Sequence, residues 1–210
     1  MTKKEKLIFY LVISLLSLLY IVLDFFGVIR KINLNLWSVE SWKESYPKLE
    51  KADIKNKTVV AFNAFSDKVQ DFDEKKFRPF LNSLLDQSVR VDDISMSIPY
   101  KDMNKIPPWV RDVVSVNGHS KEYKGGSAVV YSVLQEPESN TKIIVVEPDY
   151  VYPKEFVQDT VDKSNETPDK IIYVDKGILI KPSFFDEKIT EYDAQSGVGI
   201  IEWLKENYGK

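Results

Sequence analysis

Two carboxylates, Glu147 and Asp149, stand one residue apart where an unbroken apolar run gives way to polar chain: Ile143-Ile144-Val145-Val146, then Glu147-Pro148-Asp149-Tyr150-Val151-Tyr152-Pro153. A short β-branched run of this kind reads as a fully buried strand. In open α/β sheets, ligands bind outside the carboxyl ends of the strands. Two acids with one spacer at such an end can hold a hard divalent cation through oxygen, and that cation can hold phosphate. The pattern points to metal-assisted chemistry on a phosphorylated donor. Its local alternative is a strand-to-helix turn whose acids cap a helix beginning near Pro153.

Other residue types narrow the chemistry. The chain has 210 residues, no cysteine and one histidine. Thiolate metal sites, cysteine nucleophiles and disulfides are therefore absent, and a His-rich metal site or a Ser-His-Asp triad is hard to assemble. A formal charge of −3 gives no basic excess for nucleic acid. The histidine, His119, lies in Asn117-Gly118-His119-Ser120-Lys121 and is expected to be exposed in a polar loop. Gly125-Gly126-Ser127 reads either as a helix entry with Ser127 near the cap or as a phosphate cradle. Trp109, after Pro107 and Pro108, reads as a packing anchor ahead of a sugar platform.

These residues need a scaffold, and the pattern supplies one from Thr58 onward. Thr58–Phe62 reads as a buried first strand, followed by a polar, acidic loop over Ser66–Glu74. Phe77, Phe80, Leu81, Leu84 and Leu85 recur at helical spacing. Asp92–Pro99 alternates as a second strand, Val113–Val116 is a short third and Lys142–Val146 a fourth. Pro153 is expected at the first position of the next helix. Two further strands flank Asp175-Lys176, and a terminal helix lies around Ile200–Leu204. Strands alternating with helices define an α/β domain over residues 58–210.

Ahead of it, residues 7–29 are almost wholly apolar, long enough to span a bilayer as an uncleaved anchor. Lys3, Lys4 and Lys6 against Arg30, Lys31 and Asp24 place residues 1–6 in the cytosol, a type II arrangement. Residues 30–57 read as a stem; Trp37, Trp42 and Tyr46 there suit either the membrane interface or the domain. Asn56-Lys57-Thr58 and Asn165-Glu166-Thr167 match the N-glycosylation pattern expected of a lumenal or external domain.

Five pieces in order resemble small GT-A glycosyltransferases over about residues 58 to 190. They are Phe77–Ser88 with Asp92–Pro99; Pro108-Trp109; Tyr123-Lys124-Gly125-Gly126-Ser127; Glu147–Pro153; and Gly177–Asp186. The resemblance implies a Rossmann-like mixed sheet flanked by helices and a nucleotide diphosphate sugar donor with Mn²⁺ or Mg²⁺. It further implies a glycan or other hydroxyl acceptor. By the same resemblance Asp149 binds the metal, and Glu147 binds it or the donor ribose. Phe62 and Asn63 hold the nucleotide base; Tyr123, Gly125, Gly126 and Ser127 line the donor pocket. Asp186 or Asp193 supplies the catalytic base. The chain departs from the family in having Glu-Pro-Asp at the acidic motif, Ala128 in place of a lysine, and no later Asp-Asp-x-Trp segment. These departures keep open a degenerate domain that binds a partner protein or a glycan without catalysis.

Overall fold

The computed structural model describes residues 2–64, 72–121, 123, 126–193 and 198–208. Residues up to Trp37 and from Ser38 onward form two compact units. In the first, helix α1 (Lys3–Phe25) starts with a capping box in which Thr2 and Glu5 satisfy each other's amides. Its 23 residues extend roughly 34 Å. It is long and apolar enough to cross a membrane, a property that signal sequences share. Gly27, at φ +68°, ends the run, and α2 (Val28–Leu36) begins after it. The expected span of 7–29 is therefore broken at Gly27, because a left-handed residue stops the helical hydrogen-bond ladder.

The second unit is an α/β domain. It begins with α3 (Glu40–Lys43) and a 3₁₀ turn at Tyr46–Lys48. Strand β1 (Thr58–Asn63), α4 (Glu74–Leu85), β2 (Asp93–Pro99), α5 (Pro108–Arg111) and β3 (Ser115–His119) follow. Next come α6 (Ser127–Gln135), β4 (Lys142–Val146), α7 (Phe156–Glu166), the hairpin β5 (Ile172–Val174) and β6 (Gly177–Ile180), and α8 (Ile200–Tyr208). The six strands make one mixed sheet in the order β3-β2-β1-β4-β6-β5. Strands β1 to β4 are parallel, whereas β6 runs antiparallel to β4 and to β5.

Helices cover both faces. On one, Val60, Phe62, Met96, Ile144, Val146 and Leu179 meet Phe77, Phe80 and Leu84 of α4 and Val157 and Val161 of α7. On the other, Ala61, Ile143, Ile178 and Ile180 meet Val129 and Val130 of α6 and Leu204 of α8. Burial on both sides is why β1 and β4 read as continuous apolar runs rather than alternating ones.

Four expectations are corrected. Residues 38–57 belong to the domain rather than to a stem: Val39 and Ala52 are in its core, with Trp42 and Tyr46 packed against it. The Tyr46 hydroxyl accepts the Val91 amide at 2.9 Å, and burial pushes its pKa up to about 12. The third strand lies at Ser115–His119, shifted toward the carboxyl side of Val113–Val116, and it carries His119 into the interior at 3% exposure. There the imidazole stacks on Tyr131, centroids 4.5 Å apart. Finally, α7 starts at Phe156, not at Pro153. Buried Gln87 sets this start: its Nε2 donates to the carbonyls of Ser83 and Pro153, and its Oε1 accepts the Val157 amide.

The amino ends of the strands are tied by charge. Asp92 accepts the Thr58 amide at 3.0 Å and pairs with Lys51 at 2.6 Å. Burial alone would raise its pKa, yet these partners hold it below the ordinary carboxylate value. Asp92 and Asp93 thus serve the amino edge. The opposite edge carries the acidic turn.

Candidate functional site at the carboxyl edge of the sheet

The acids leave the sheet where the register dictates. Phe62 of β1 pairs with Val146 of β4, so Asn63 and Glu147 emerge side by side as the next residues. The Tyr150 amide then donates to the Glu147 carbonyl at 3.3 Å, closing a turn with Pro148 at its second position. Proline suits that position because its ring presets φ. Pro148 is buried beneath the turn, while Glu147 and Asp149 are both exposed on it. The alternative of helix-capping acids loses its basis, since α7 begins nine residues after Glu147 and takes its buried cap from Gln87.

Tyr152 holds this turn in place, a role that the sequence reading missed. Its side chain is fully buried, and its hydroxyl accepts the Glu147 amide at 2.8 Å and donates to the Lys176 carbonyl at 2.6 Å. Burial drives its pKa upward. One phenol thereby joins the end of β4 to the turn of the β5–β6 hairpin. Lys176, at φ +56°, places its ammonium 3.5 Å from the Glu147 carboxylate, and Tyr150 donates to Asp175 at 3.3 Å. Tyr152→Phe keeps the ring and removes both bonds. It is expected to cost about 1–3 kcal/mol, read as a lower denaturant midpoint at unchanged slope; an unchanged midpoint would contradict the assigned role.

The other expected site residues are placed differently. Phe62 is fully buried between Phe77 and Phe80, at centroid distances of 5.9 and 5.1 Å, and is a core residue rather than a base platform. Both faces of β1 are covered, so even the last aromatic of the strand packs into the core. Asn63 is half-buried at the strand end. Tyr123 is buried beneath Lys121, whose Nζ lies 4.4 Å from the ring centroid. Ser127 is buried too, its Oγ accepting the Tyr123 amide at 3.0 Å. Gly125 and the loop Phe65–Asp71 lie outside the described residues.

Gly126 is needed for close approach, as expected of a donor-pocket glycine, but the approaching group is the protein's own. A Cβ there would sit 2.6 Å from a Tyr192 ring carbon. Gly126→Ala is expected to destabilise the domain by about 1–3 kcal/mol, visible in thermal unfolding, whereas an unshifted melt would mean that Tyr192 is not seated there.

The two candidate bases separate along the same segment. Ser183 donates to the Ser139 carbonyl near the amino edge, and Tyr192 reaches Gly126 at the start of α6 near the carboxyl edge. Asp186 therefore lies toward the amino side. The Tyr208 hydroxyl at 2.8 Å, with the Lys188 amide, holds its carboxyl below the ordinary value, the wrong direction for a base at neutral pH. Asp193, exposed and next to Tyr192, stands toward the carboxyl side. Among the described residues no three His, Cys, Asp or Glu side chains gather as a preformed metal cluster.

The chain and its site thus define a class of architecture: a helix-flanked mixed sheet displaying two carboxylates beyond its parallel strand ends. No protein-family model matches the chain, and no curated protein matches it.

Proposed function

We propose that the protein is a membrane-anchored, metal-dependent glycosyltransferase of GT-A type that moves a sugar from a nucleoside diphosphate to a hydroxyl acceptor. The observation that carries this reading is the turn Glu147–Tyr150, which presents two exposed carboxylates beside Asn63 at the carboxyl edge. The mixed, helix-flanked sheet agrees with what the resemblance implies. Helix α1 would be the anchor, with the domain outside or in a lumen.

Two carboxylates without a third ligand fit Mn²⁺ or Mg²⁺, because such ions are often held by one or two acids plus substrate phosphates. Bound there, the cation would stabilise charge gathering on the diphosphate as the glycosidic bond breaks. Asp149 and Glu147 would hold it, with Asn63 toward the nucleotide. Asp193 would take the acceptor proton in an inverting displacement.

Calorimetric titration of the whole chain with uridine and guanosine diphosphate sugars tests the proposal. Binding that requires Mn²⁺ is the expected result. Binding to no donor would favour the second reading, a degenerate GT-A-like domain that holds a partner or glycan. The burial of Tyr123, Gly126 and Ser127 and the pairing of Glu147 with Lys176 favour that reading.

A further inference from the structure

We propose that helix α2 is a second membrane contact, lying along the headgroup–acyl boundary of the bilayer that α1 enters. This inference rests on the reading of α1 as a membrane span and is independent of any catalytic role.

Helix geometry puts Val28, Ile32 and Leu36, spaced four apart, on one stripe, with Ile29 at its border. All three stripe residues are exposed, at 37, 44 and 72%. The opposite side behaves in reverse: Leu34 is buried, and Arg30 and Asn33 are half-buried. An amphipathic helix ordinarily turns its apolar face inward. Here the apolar face is the one left outside. Lys31 and Asn35 edge the stripe, and Trp37, 48% exposed, follows the last turn.

Continuity selects the occupant. With residues 1–6 outside, the remainder of α1, Leu7–Phe25, extends roughly 28 Å and nearly fills a hydrocarbon core of about 30 Å. The left-handed Gly27 then breaks the helix two residues after α1 ends. The stripe that follows can only fall at the boundary layer, where apolar side chains enter beside lysine and tryptophan. Lys31 adds attraction to anionic headgroups.

The absence of native cysteine makes the test clean. Single cysteines at Leu15, Ile32, Leu36 and Asn33 are labelled with an environment-sensitive fluorophore. Each whole chain is reconstituted in phosphatidylcholine vesicles with and without phosphatidylglycerol. Labels at 32 and 36 are expected to shift to the blue and to be quenched by nitroxide lipids labelled near the headgroup. The Leu15 label should respond to deep quenchers, and the Asn33 label to neither. A quenched Leu15 label with 32 and 36 in water would overturn the α2 proposal alone; a Leu15 label in water would overturn the span. Shielding at 32 and 36 that follows protein density instead of lipid quencher would identify a second copy as the occupant and likewise overturn it.

Discussion

Asp53→Ala is expected to lower the unfolding free energy by about 3–5 kcal/mol. Lys142 opens β4 at the amino edge with a side chain only 2% exposed. Its ammonium lies 2.5 Å from the Asp53 carboxylate and 2.5 Å from the Asn165 side-chain oxygen. Asp53 is almost as buried and also accepts the amides of Lys55 and Asn56 and the Asn56 side chain. Removing the carboxylate leaves a cation stranded in the interior. Replacing both partners by apolar residues, as in Asp53→Leu with Lys142→Met, is expected to recover most of the loss, because the desolvation cost then disappears from both sides.

The same pair predicts an acid limb. Burial alone would raise the Asp53 pKa, but the Lys142 hydrogen bond and those from residues 55 and 56 hold it well below the carboxylate range. A depressed folded-state pKa stabilises fully above the unfolded value of about 3.9 and is lost as pH falls from there toward the folded value. Asp92 contributes in the same direction. Wild-type stability should therefore drop steeply below about pH 4, and the double apolar variant should drop less. A wild-type midpoint for Asp53→Ala, or identical acid limbs, would show that the pair is not coupled.

Asp149→Ala is expected to abolish Mn²⁺-dependent donor binding while leaving the fold intact. The side chain is exposed on a turn whose geometry is set by Pro148 beneath it and by the Tyr152 hydroxyl at Glu147. Its removal therefore creates no cavity, and any shift in thermal unfolding should be small beside the loss of binding. A carboxylate holding a cation on diphosphate charge contributes several kcal/mol, so the loss should reach about 100-fold or more. Glu147→Gln should weaken binding less, because Glu147 already shares its charge with Lys176. Equal donor affinity in wild type and Asp149→Ala would remove the basis for a metal site at this turn.

Much of the scaffold was legible because β1 and β4 are interior parallel strands, covered on both faces, whose apolar runs contrast with their surroundings, and because β2 alternates apolar with small polar residues up to Pro99. β3 was misplaced for the opposite reason. It is an edge strand of composition Ser-Val-Asn-Gly-His, mostly outside the core, and it carries no apolar signature. His119 was misjudged with it. The segment before Thr58 hid its membership because Val39, Trp42, Tyr46 and Ala52 dock singly, without a period. The acidic turn itself could be read from the point where an apolar run meets Glu-Pro-Asp. Its fastening by Tyr152 to Lys176 could not, since that contact depends on antiparallel pairing of β6 with β4 across about 30 residues of chain. Phe62 shows the same limit on a smaller scale: β1 is apolar throughout, so its run does not tell which face each residue takes, and that depends on what packs there.

The most direct measurement is crystallographic: anomalous scattering at the manganese edge from crystals of the chain grown with Mn²⁺ and uridine or guanosine diphosphate. A single strong peak between the Asp149 carboxylate and two phosphate oxygens, with Glu147 turned from Lys176 toward it, is the predicted result. Nucleotide bound elsewhere, or manganese absent from this turn while Asp149 faces only water, would contradict the account.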